Sequence, residues 1–279
     1  MYEFSTPEPV RLRIEFGSGD IEIEATDTDT STVRIEPYRD DDASREALDR
    51  TTVEQRGNEI RIETPRKTSF FRRGAKLRAR IEVPTRSSVD AKIESADLVT
   101  RGTLANAQVK SGSGDVRLEN VDDETSVQSG SGDIDVERAG EQTRANAGSG
   151  DVSIRSAAGR VSISTGSGDI RLDEADGAVQ LNSGSGDVQV GDARSDVSVN
   201  TASGDQHLGR TFRGNVKCNA ASGDILIGIA TGTAAWLEVN SISGSVTSEL
   251  DGSEPPGEDE ETVRVKANSV SGDITLTRA

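Results

Sequence analysis

Aliphatic and polar residues alternate along most of the chain, at the period of two that is typical of β-strands. The alternation is most regular where an aspartate is followed directly by an aliphatic residue and then by a second one two places later. Val116 and Leu118 form one such pair, and Ile170 and Leu172 form another. Each pair predicts a short strand with one buried face.

The alternation recurs at a fixed interval of 18 residues. The aspartates that follow Ser-Gly or Ser-Ala mark the interval, and they are Asp97, Asp115, Asp133, Asp151, Asp169, Asp187 and Asp205. The sequence Gly-Ser-Gly-Asp is complete at 112–115, 130–133, 148–151, 166–169 and 184–187. Repetition in phase indicates a repeat architecture, and we interpret each unit as two short strands joined by corners.

Strands this short are not stable as isolated hairpins. If they stack as successive rungs that pair in parallel, like residues lie over one another and the aliphatic positions fill one narrow core. The sequence therefore predicts an all-β protein, a parallel β-solenoid (β-helix) with 18-residue rungs. A narrow core also explains why only 32% of the residues are hydrophobic.

The first part of the chain lacks the strict interval but keeps the strand pattern. Alternation is present at 10–16, 21–25, 32–36, 59–63 and 77–83, and residues 42–50 fit one or two helical turns. Because Gly17-Ser-Gly-Asp20 copies the motif, we expect residues 1–86 to be a β-rich N-terminal cap or degenerate first rungs. We expect residues 87–279 to be the solenoid domain, with an acidic loop insertion at 249–262.

Composition and charge exclude several classes of function. Acidic residues number 49 against 32 basic ones, which gives a formal net charge of −17. A nucleic-acid surface needs a basic footprint, so we expect no nucleic-acid partner. No apolar stretch is long enough for a transmembrane helix. The N-terminal residues do not have the pattern of a secretory signal, so we expect a cytoplasmic location.

The stacked aspartates are the first candidate for chemistry. In a solenoid the carboxylates of Asp115, Asp133, Asp151, Asp169 and Asp187 would lie about 4.8 Å apart and repel one another. Turn chemistry is one explanation for their recurrence, because aspartate and serine side chains cap backbone N–H groups at corners. A row of cation sites between rungs is the alternative, since calcium-binding β-rolls also repeat glycine and aspartate, although with Gly-x-Asp where this chain has Gly-Asp.

A catalytic role for these aspartates is a further interpretation. Catalytic carboxylates work in different environments, whereas these are repeated and equivalent. His207 is the single histidine and falls at an outward position, so it does not suggest a Ser-His-Asp triad. We therefore expect no enzyme, no catalytic residues and no cofactor. A polysaccharide-processing parallel β-helix enzyme stays open as an alternative.

A basic segment interrupts the acidic chain at 66–80. It contains no acid, and its candidate binding residues are Arg66, Lys67, Phe70, Phe71, Arg72, Arg73 and Lys76. The segment is either a solvated connector or a docking site for an anionic protein or for peripheral contact with a membrane surface. Its charge is opposite to that of the acidic segment, so head-to-tail self-association is also open.

The repeated Ser-Gly-Ser-Gly-Asp-aliphatic-x-aliphatic units resemble the putative-adhesin family, a β-strand-repeat domain of unknown function, and the related head GIN domains. The resemblance extends over about residues 88–279. It implies a β-solenoid that carries no catalytic residues to transfer. We predict a non-enzymatic, adhesin-like scaffold for protein contacts, with a cation-binding module that uses the stacked aspartates as the alternative.

Overall fold

The computed structural model describes residues 1–65, 75–250 and 261–279. These residues form β-strands, turns and one short helix, which divide into two compact units, residues 1–140 (unit 1) and 141–279 (unit 2). Within the described ranges, no helix combines the length and the apolar character needed to cross a membrane. The predicted all-β parallel solenoid is confirmed, while the predicted domain boundary at residue 86 stays a prediction.

Unit 1 contains the irregular first part of the chain and the first regular repeats. Helix α1 covers Asp42–Asp49, as the pattern at 42–50 predicted. The strands of unit 1 are β1 (Tyr2–Ser5), β2 (Arg11–Thr26), β3 (Thr30–Pro37), β4 (Thr52–Arg56), β5 (Glu59–Glu63), β6 (Leu77–Pro84), β7 (Ser88–Leu104), β8 (Asn106–Ser111), β9 (Val116–Val121), β10 (Glu124–Ser129) and β11 (Ile134–Ala139).

In chain order, β2 is the first strand of unit 1 that forms a parallel rung. This strand pairs in parallel with β7 along most of its length, with Leu12 opposite Val89 and Ile21 opposite Leu98. The two halves of β7 continue the stack through β8 and β9, which pair with β10 and β11 in turn. On the other side of β2, its two halves pair in parallel with β5 and β6. Residues 10–26 therefore already form a regular rung.

Antiparallel strands cover the outer side of β5 and β6. Strand β4 pairs antiparallel with β5, β3 pairs antiparallel with β6, and β1 follows β3. Helix α1 begins with a cap in which the Asp41 carboxylate accepts the Ser44 N–H at 2.7 Å, and it contacts β3 and β6. Because open strand edges invite pairing with other chains, strands that cover β5 and β6 protect these edges, while the predicted N-terminal cap stays a prediction.

Unit 2 contains only strands in its described residues. They are β12 (Gln142–Ala147), β13 (Val152–Ala157), β14 (Arg160–Thr165), β15 (Ile170–Ala175), β16 (Val179–Ser183), β17 (Val188–Ala193), β18 (Val197–Ser203), β19 (Gln206–Thr211), β20 (Gly214–Ser222), β21 (Ile225–Ile229), β22 (Thr233–Ser243), β23 (Val246–Ser248), β24 (Glu261–Ser271) and β25 (Ile274–Arg278). The even-numbered strands from β12 to β20 form one parallel stack, and the odd-numbered strands from β13 to β21 form a second.

The stacks hold equivalent residues in register, so aliphatic columns fill the interior. Val152, Ile170 and Val188 lie opposite one another in consecutive rungs and are buried. Ile163 and Leu181 form part of a second column on the facing stack. The positions that the sequence pattern predicted to be buried are therefore the core.

The last two rungs of unit 2 stack in the reverse of chain order. Strands β24 and β25 pair with β20 and β21, although they come last in the chain. Strands β22 and β23 pair with the opposite edges of β24 and β25, so the rung at 233–248 is the outermost one. The assumption that each rung lies on its predecessor in the chain is wrong at this end. Residues 251–260 of the predicted acidic insertion lie outside the described ranges.

Candidate functional site

The aspartates that mark the repeat form a row of backbone caps along unit 2. The Asp151 carboxylate accepts the backbone N–H of Asp169 at 2.8 Å, one rung further along the stack. The same bond, also at 2.8 Å, links each following pair: Asp169–Asp187, Asp187–Asp205, Asp205–Asp224 and Asp224–Asp273. The row ends where Asp273 accepts the N–H of Ser245 on the outermost rung at 2.7 Å.

The same caps are present in unit 1, where Asp97 accepts from Asp115 at 3.0 Å and Asp115 from Asp133 at 3.1 Å. Each of these carboxylates thus lies against a backbone N–H group, whose partial positive charge offsets repulsion along the row. At the end of the row, the hydrogen bond from Ser245 lowers the pKa of Asp273 below its ordinary value of 3.8. The interpretation of these residues as turn chemistry is confirmed.

Inward-facing hydroxyl groups complete each corner. The N–H of Gly186 donates to the Ser183 hydroxyl at 2.8 Å, and the N–H of Gly168 donates to Thr165 at 3.0 Å. In unit 1, Gly132 donates to Ser129 in the same way at 2.9 Å. Buried backbone N–H groups need such partners, so the serine, glycine and aspartate of the motif act together as one corner.

The geometry of a cation site is different from that of these corners. Among residues 1–65, 75–250 and 261–279, no group of three or more His, Cys, Asp or Glu side chains is arranged to hold a metal ion. One oxygen of Asp115, Asp151, Asp169 and Asp187 already accepts a backbone N–H. Cation binding by the row, including Asp133, stays a hypothesis that a titration can test.

Most of the predicted basic docking segment lies outside the described residues, namely Arg66, Lys67, Phe70, Phe71, Arg72 and Arg73. Lys76 is described and exposed, with its ammonium group 5.9 Å from the centre of the Tyr38 ring. Arg78 follows it at 4.8 Å from the same ring and lies 3.6 Å from the Asp20 carboxylate. The described end of the segment therefore lies on the cap of unit 1, next to an exposed aromatic ring.

A cluster of arginine and phenylalanine side chains in unit 2 did not emerge from the sequence. The guanidinium groups of Arg194 and Arg210 lie 5.3 and 5.8 Å from the centre of the Phe212 ring. Arg210 also donates two hydrogen bonds, at 2.7 and 2.6 Å, to the carboxylate of the nearly buried Asp192. The signal was present, because Asp192 and Arg210 are one repeat apart and therefore stack.

Asparagines form a second ladder that the motif did not reveal. Side-chain amides link Asn182, Asn200, Asn219 and Asn268 at 3.0, 2.9 and 3.0 Å. Stacked amide ladders of this kind stabilise parallel in-register sheets. Asn240, on the outermost rung, continues the register opposite Asn268.

Unit 1 has a groove that is large enough for a small ligand and is relevant to the polysaccharide-processing alternative. It has a volume of about 390 Å³ and is lined by residues that include Glu15, Lys92, Glu94, Lys110 and Ser111.

His207 is exposed on β19 of unit 2, as its outward position predicted. Cys218 is buried, and this burial raises the pKa of its thiol to about 12. The thiol is therefore a poor nucleophile.

Comparison with known proteins gives matches to solved structures and to one family. No curated protein matches the chain significantly. A putative adhesin from Parabacteroides distasonis ATCC 8503 is 14% identical, with 98% of this chain and 95% of that chain covered and a TM-score of 0.49. A putative adhesin from Bacteroides fragilis NCTC 9343 is 12% identical, with 100% and 95% covered and a TM-score of 0.35.

A putative cell adhesion protein from Clostridium sporogenes ATCC 15579 is 10% identical, with 100% of this chain and 99% of that chain covered and a TM-score of 0.24. The model of the Toastrack DUF4097 family matches twice, over residues 10–209 and 122–277. The resemblance to a β-strand-repeat domain of unknown function is confirmed. Because the two matches together extend over nearly the whole sequence, the chain belongs to the Toastrack DUF4097 family.

Proposed function

We propose that this chain is a non-enzymatic, adhesin-like interaction protein whose rigid solenoid rungs hold surfaces for contact with other proteins. One observation carries the proposal: the repeated carboxylates are equivalent, and they cap backbone N–H groups from rung to rung. Acid–base catalysis needs titratable groups whose environments differ. A row of identical caps is instead what a rigid scaffold uses to fix its corners.

Regular spacing supports a scaffold role. Consecutive parallel strands lie about 4.8 Å apart, so outward side chains on neighbouring rungs form evenly spaced rows. Ser162 lies opposite Gln180, and Gln180 lies opposite Ser198, on the outward side of one stack in unit 2. Such rows of small polar side chains offer a surface that needs no rearrangement on binding.

The basic segment is the surface we propose for an acidic protein partner. On a chain with a net charge of −17, the run of Arg66, Lys67, Phe70, Phe71, Arg72, Arg73 and Lys76 differs in sign from its surroundings. Opposite charge steers a partner toward such a segment, and the two phenylalanines supply apolar contact area. The exposure of Lys76 beside the Tyr38 ring supports access from solvent at this point.

A matched pair of variants tests this surface. One variant replaces Arg66, Lys67, Arg72 and Arg73 with glutamine in the full chain. The control replaces four arginines on solenoid strands with glutamine, so that the net charge changes by the same amount. These arginines are Arg117, Arg144, Arg160 and Arg171. Proteins captured by the wild type are identified, purified and titrated against all three chains.

We expect the basic-segment variant to bind a purified acidic partner at least about tenfold more weakly, and the control to bind like the wild type. Binding should also weaken as salt concentration rises, because exposed charges are screened. Equal affinity of all three chains would discard the segment as the docking site. If both variants bind the partner more weakly, the change in net charge alone explains the loss of affinity, and the segment is not a specific docking site.

A further inference from the structure

The outermost rung of unit 2 leaves strand edges without partners. Within the described residues, β22 and β23 each pair with a neighbour on one edge only, through β24 and β25. Their other edges present a row of backbone N–H and C=O groups. Such edges are ready templates for pairing with another strand.

The core is also open at this rung. Leu237 lies opposite Val265 in the same inward column, yet Leu237 is 42% exposed while Val265 is fully buried. Val246 is 48% exposed, whereas Ile274 opposite it is fully buried. These two side chains have the inward direction of core residues, and no rung of the described residues lies above them. Covering them would therefore remove apolar surface from water, which is favourable.

Strands β22 and β23 do not themselves carry the residues that often protect an edge strand. Natural proteins place lysine, proline or inward-pointing charges on exposed edges. Strands β22 and β23 contain none of these, and their one charged residue, Glu238, is paired with Lys266 at 2.5 Å. For a chain in which 29% of residues are charged, this rung is depleted in charge, as the centres of protein interfaces are.

We propose that the rung at 233–248 binds the same rung of a second copy of this chain, which forms a closed dimer. A second copy supplies two strands with the same spacing and the same inward columns, so it matches this edge by construction. A two-fold axis across the contact would pair β22 with β22 and β23 with β23 in antiparallel fashion. Such a contact uses the same patch on both copies, so it ends at the dimer.

The size of the rung sets the expected affinity. Residues 233–241 extend about 30 Å, and two packed sheets with their outward side chains are about 20 Å wide, so each copy would bury about 600 Å². A total of about 1,200 Å² is at the lower end for specific protein interfaces. We therefore expect a reversible dimer with a dissociation constant on the order of micromolar or weaker.

Sedimentation of the full chain over a wide concentration range tests the proposal. The test variant is Leu237→Lys/Val246→Lys, which places a charge in each open column. A second variant, Leu237→Ser/Val246→Ser, removes the apolar surface without adding charge. The control is Val270→Lys, since Val270 is also exposed but lies on β24, one rung below the edge. Circular dichroism and thermal unfolding establish that each variant is folded.

We expect the wild type to pass from monomer to dimer and to grow no further. The double lysine variant should dimerise more than about 100-fold more weakly, because it would bury unpaired charges. The double serine variant should also dimerise more weakly, and Val270→Lys should behave like the wild type. Added salt should strengthen the dimer, because two copies with a net charge of −17 repel each other.

Several outcomes would overturn the proposal. They are a wild type that stays monomeric at all concentrations, growth beyond the dimer, and dimerisation of both double variants at wild-type strength. An assembly that salt dissolves would indicate the head-to-tail contact of basic and acidic segments instead. Because none of these variants alters residues 66–80, failure here is distinguishable from failure of the proposed docking segment.

Discussion

At the scale of single residues, the two glycines of each Gly-Ser-Gly-Asp corner have different roles. A Cβ atom added at Gly186 would lie 2.0 Å from the carbonyl oxygen of Gly168, on the rung below. The next rungs keep glycine at this position, at Gly204 and Gly223. At the position of Gly184, in contrast, the chain itself carries Ala202 one repeat later. A Cβ atom added at Gly184 would also meet a carbonyl oxygen, that of Gly166, at 2.4 Å. Because the chain carries Ala202 at this position one repeat later, the repeat can admit a side chain at the first glycine, whereas the second is glycine in each of these rungs.

Alanine substitutions should separate the two positions. We expect Gly186→Ala to lower the free energy of unfolding by about 2 kcal/mol or more, because the backbone must move to admit the new atom. The matched change Gly184→Ala should cost less than Gly186→Ala, because the repeat carries alanine at this position in Ala202 and Ala221 and can therefore relieve the 2.4 Å contact with the Gly166 carbonyl oxygen. Denaturant unfolding of both variants measures the difference. Equal losses would contradict the account of the corner.

A buried hydroxyl in unit 2 predicts a stabilising substitution. The Oγ1 atom of Thr143 is buried without a hydrogen-bond partner, and the neighbour of Thr143 in register is Val161. We expect Thr143→Val to raise the free energy of unfolding by about 1 kcal/mol, because it removes an unsatisfied polar group at constant shape. The control is Thr165→Val, which should be destabilising because the Thr165 hydroxyl accepts the Gly168 N–H. A loss of stability in Thr143→Val would show that the hydroxyl has an undetected partner.

Asp273 predicts a pH dependence at the outermost rung. The Ser245 N–H donates to its carboxylate, so the pKa of Asp273 in the folded chain lies below the ordinary 3.8. A lowered pKa means that the stabilisation is complete above the ordinary value and is lost as pH falls through the folded value. The Ser245 amide resonance should therefore titrate with a midpoint below 3.8, and Asp273→Asn should abolish that titration. A midpoint at or above the ordinary value would contradict the cap.

At the scale of elements, the row of aspartates caps backbone N–H groups from one strand to the next. Because each carboxylate already accepts a backbone N–H, we expect millimolar calcium or magnesium to leave the Tm unchanged. Thermal unfolding with and without each ion measures this. A saturable rise in Tm that disappears in Asp169→Asn/Asp187→Asn would instead establish the cation-binding alternative.

The sequence predicted those elements whose residues alternate between core and solvent. Strands β2, β3, β5 and β6 were expected from alternation alone, and each has a buried face. Strand β4 was not expected, because it lies at an antiparallel edge where none of its side chains is fully buried. Local hydrophobic pattern reports burial on one face, so a strand without a buried face leaves no signal.

The corner chemistry was predictable and the side-chain clusters were less so. Aspartate and serine capping follows from the repeated motif. The serine or threonine hydroxyl and the glycine N–H that it accepts are three positions apart, and the aspartate and the N–H that it accepts are one repeat apart. The contact of Phe212 with Arg194 and Arg210 depends on stacking, and it becomes visible only when the repeats are aligned. The reversed order of the last two rungs was not predicted, although the sequence carries a trace of it. The outermost rung has Ser245 in place of the capping aspartate, and Asp273 of the rung below caps the Ser245 N–H.

At the scale of the whole molecule, composition follows from architecture. Each rung buries only a few aliphatic side chains, so a chain with 32% hydrophobic residues still has a continuous core within each unit. In unit 1, antiparallel strands β3 and β4 and helix α1 cover the outer side of β5 and β6. In the described part of unit 2, strands β22 and β23 pair on one edge only, which makes that rung a candidate place for protein contact.

Equivalent residues lie over one another in parallel rungs, and the rung at 261–278 lies below the rung at 233–248. Disulfide formation tests this arrangement most directly, since bridged Cα atoms lie about 4.4–6.8 Å apart and neighbouring rungs about 4.8 Å. Lys217 lies opposite Lys266, and Lys266 lies opposite Glu238, all at outward positions. We predict efficient bridging in Lys217→Cys/Lys266→Cys and none in Lys217→Cys/Glu238→Cys, whose sites are two rungs apart. Bridging of the second pair instead of the first would contradict the account.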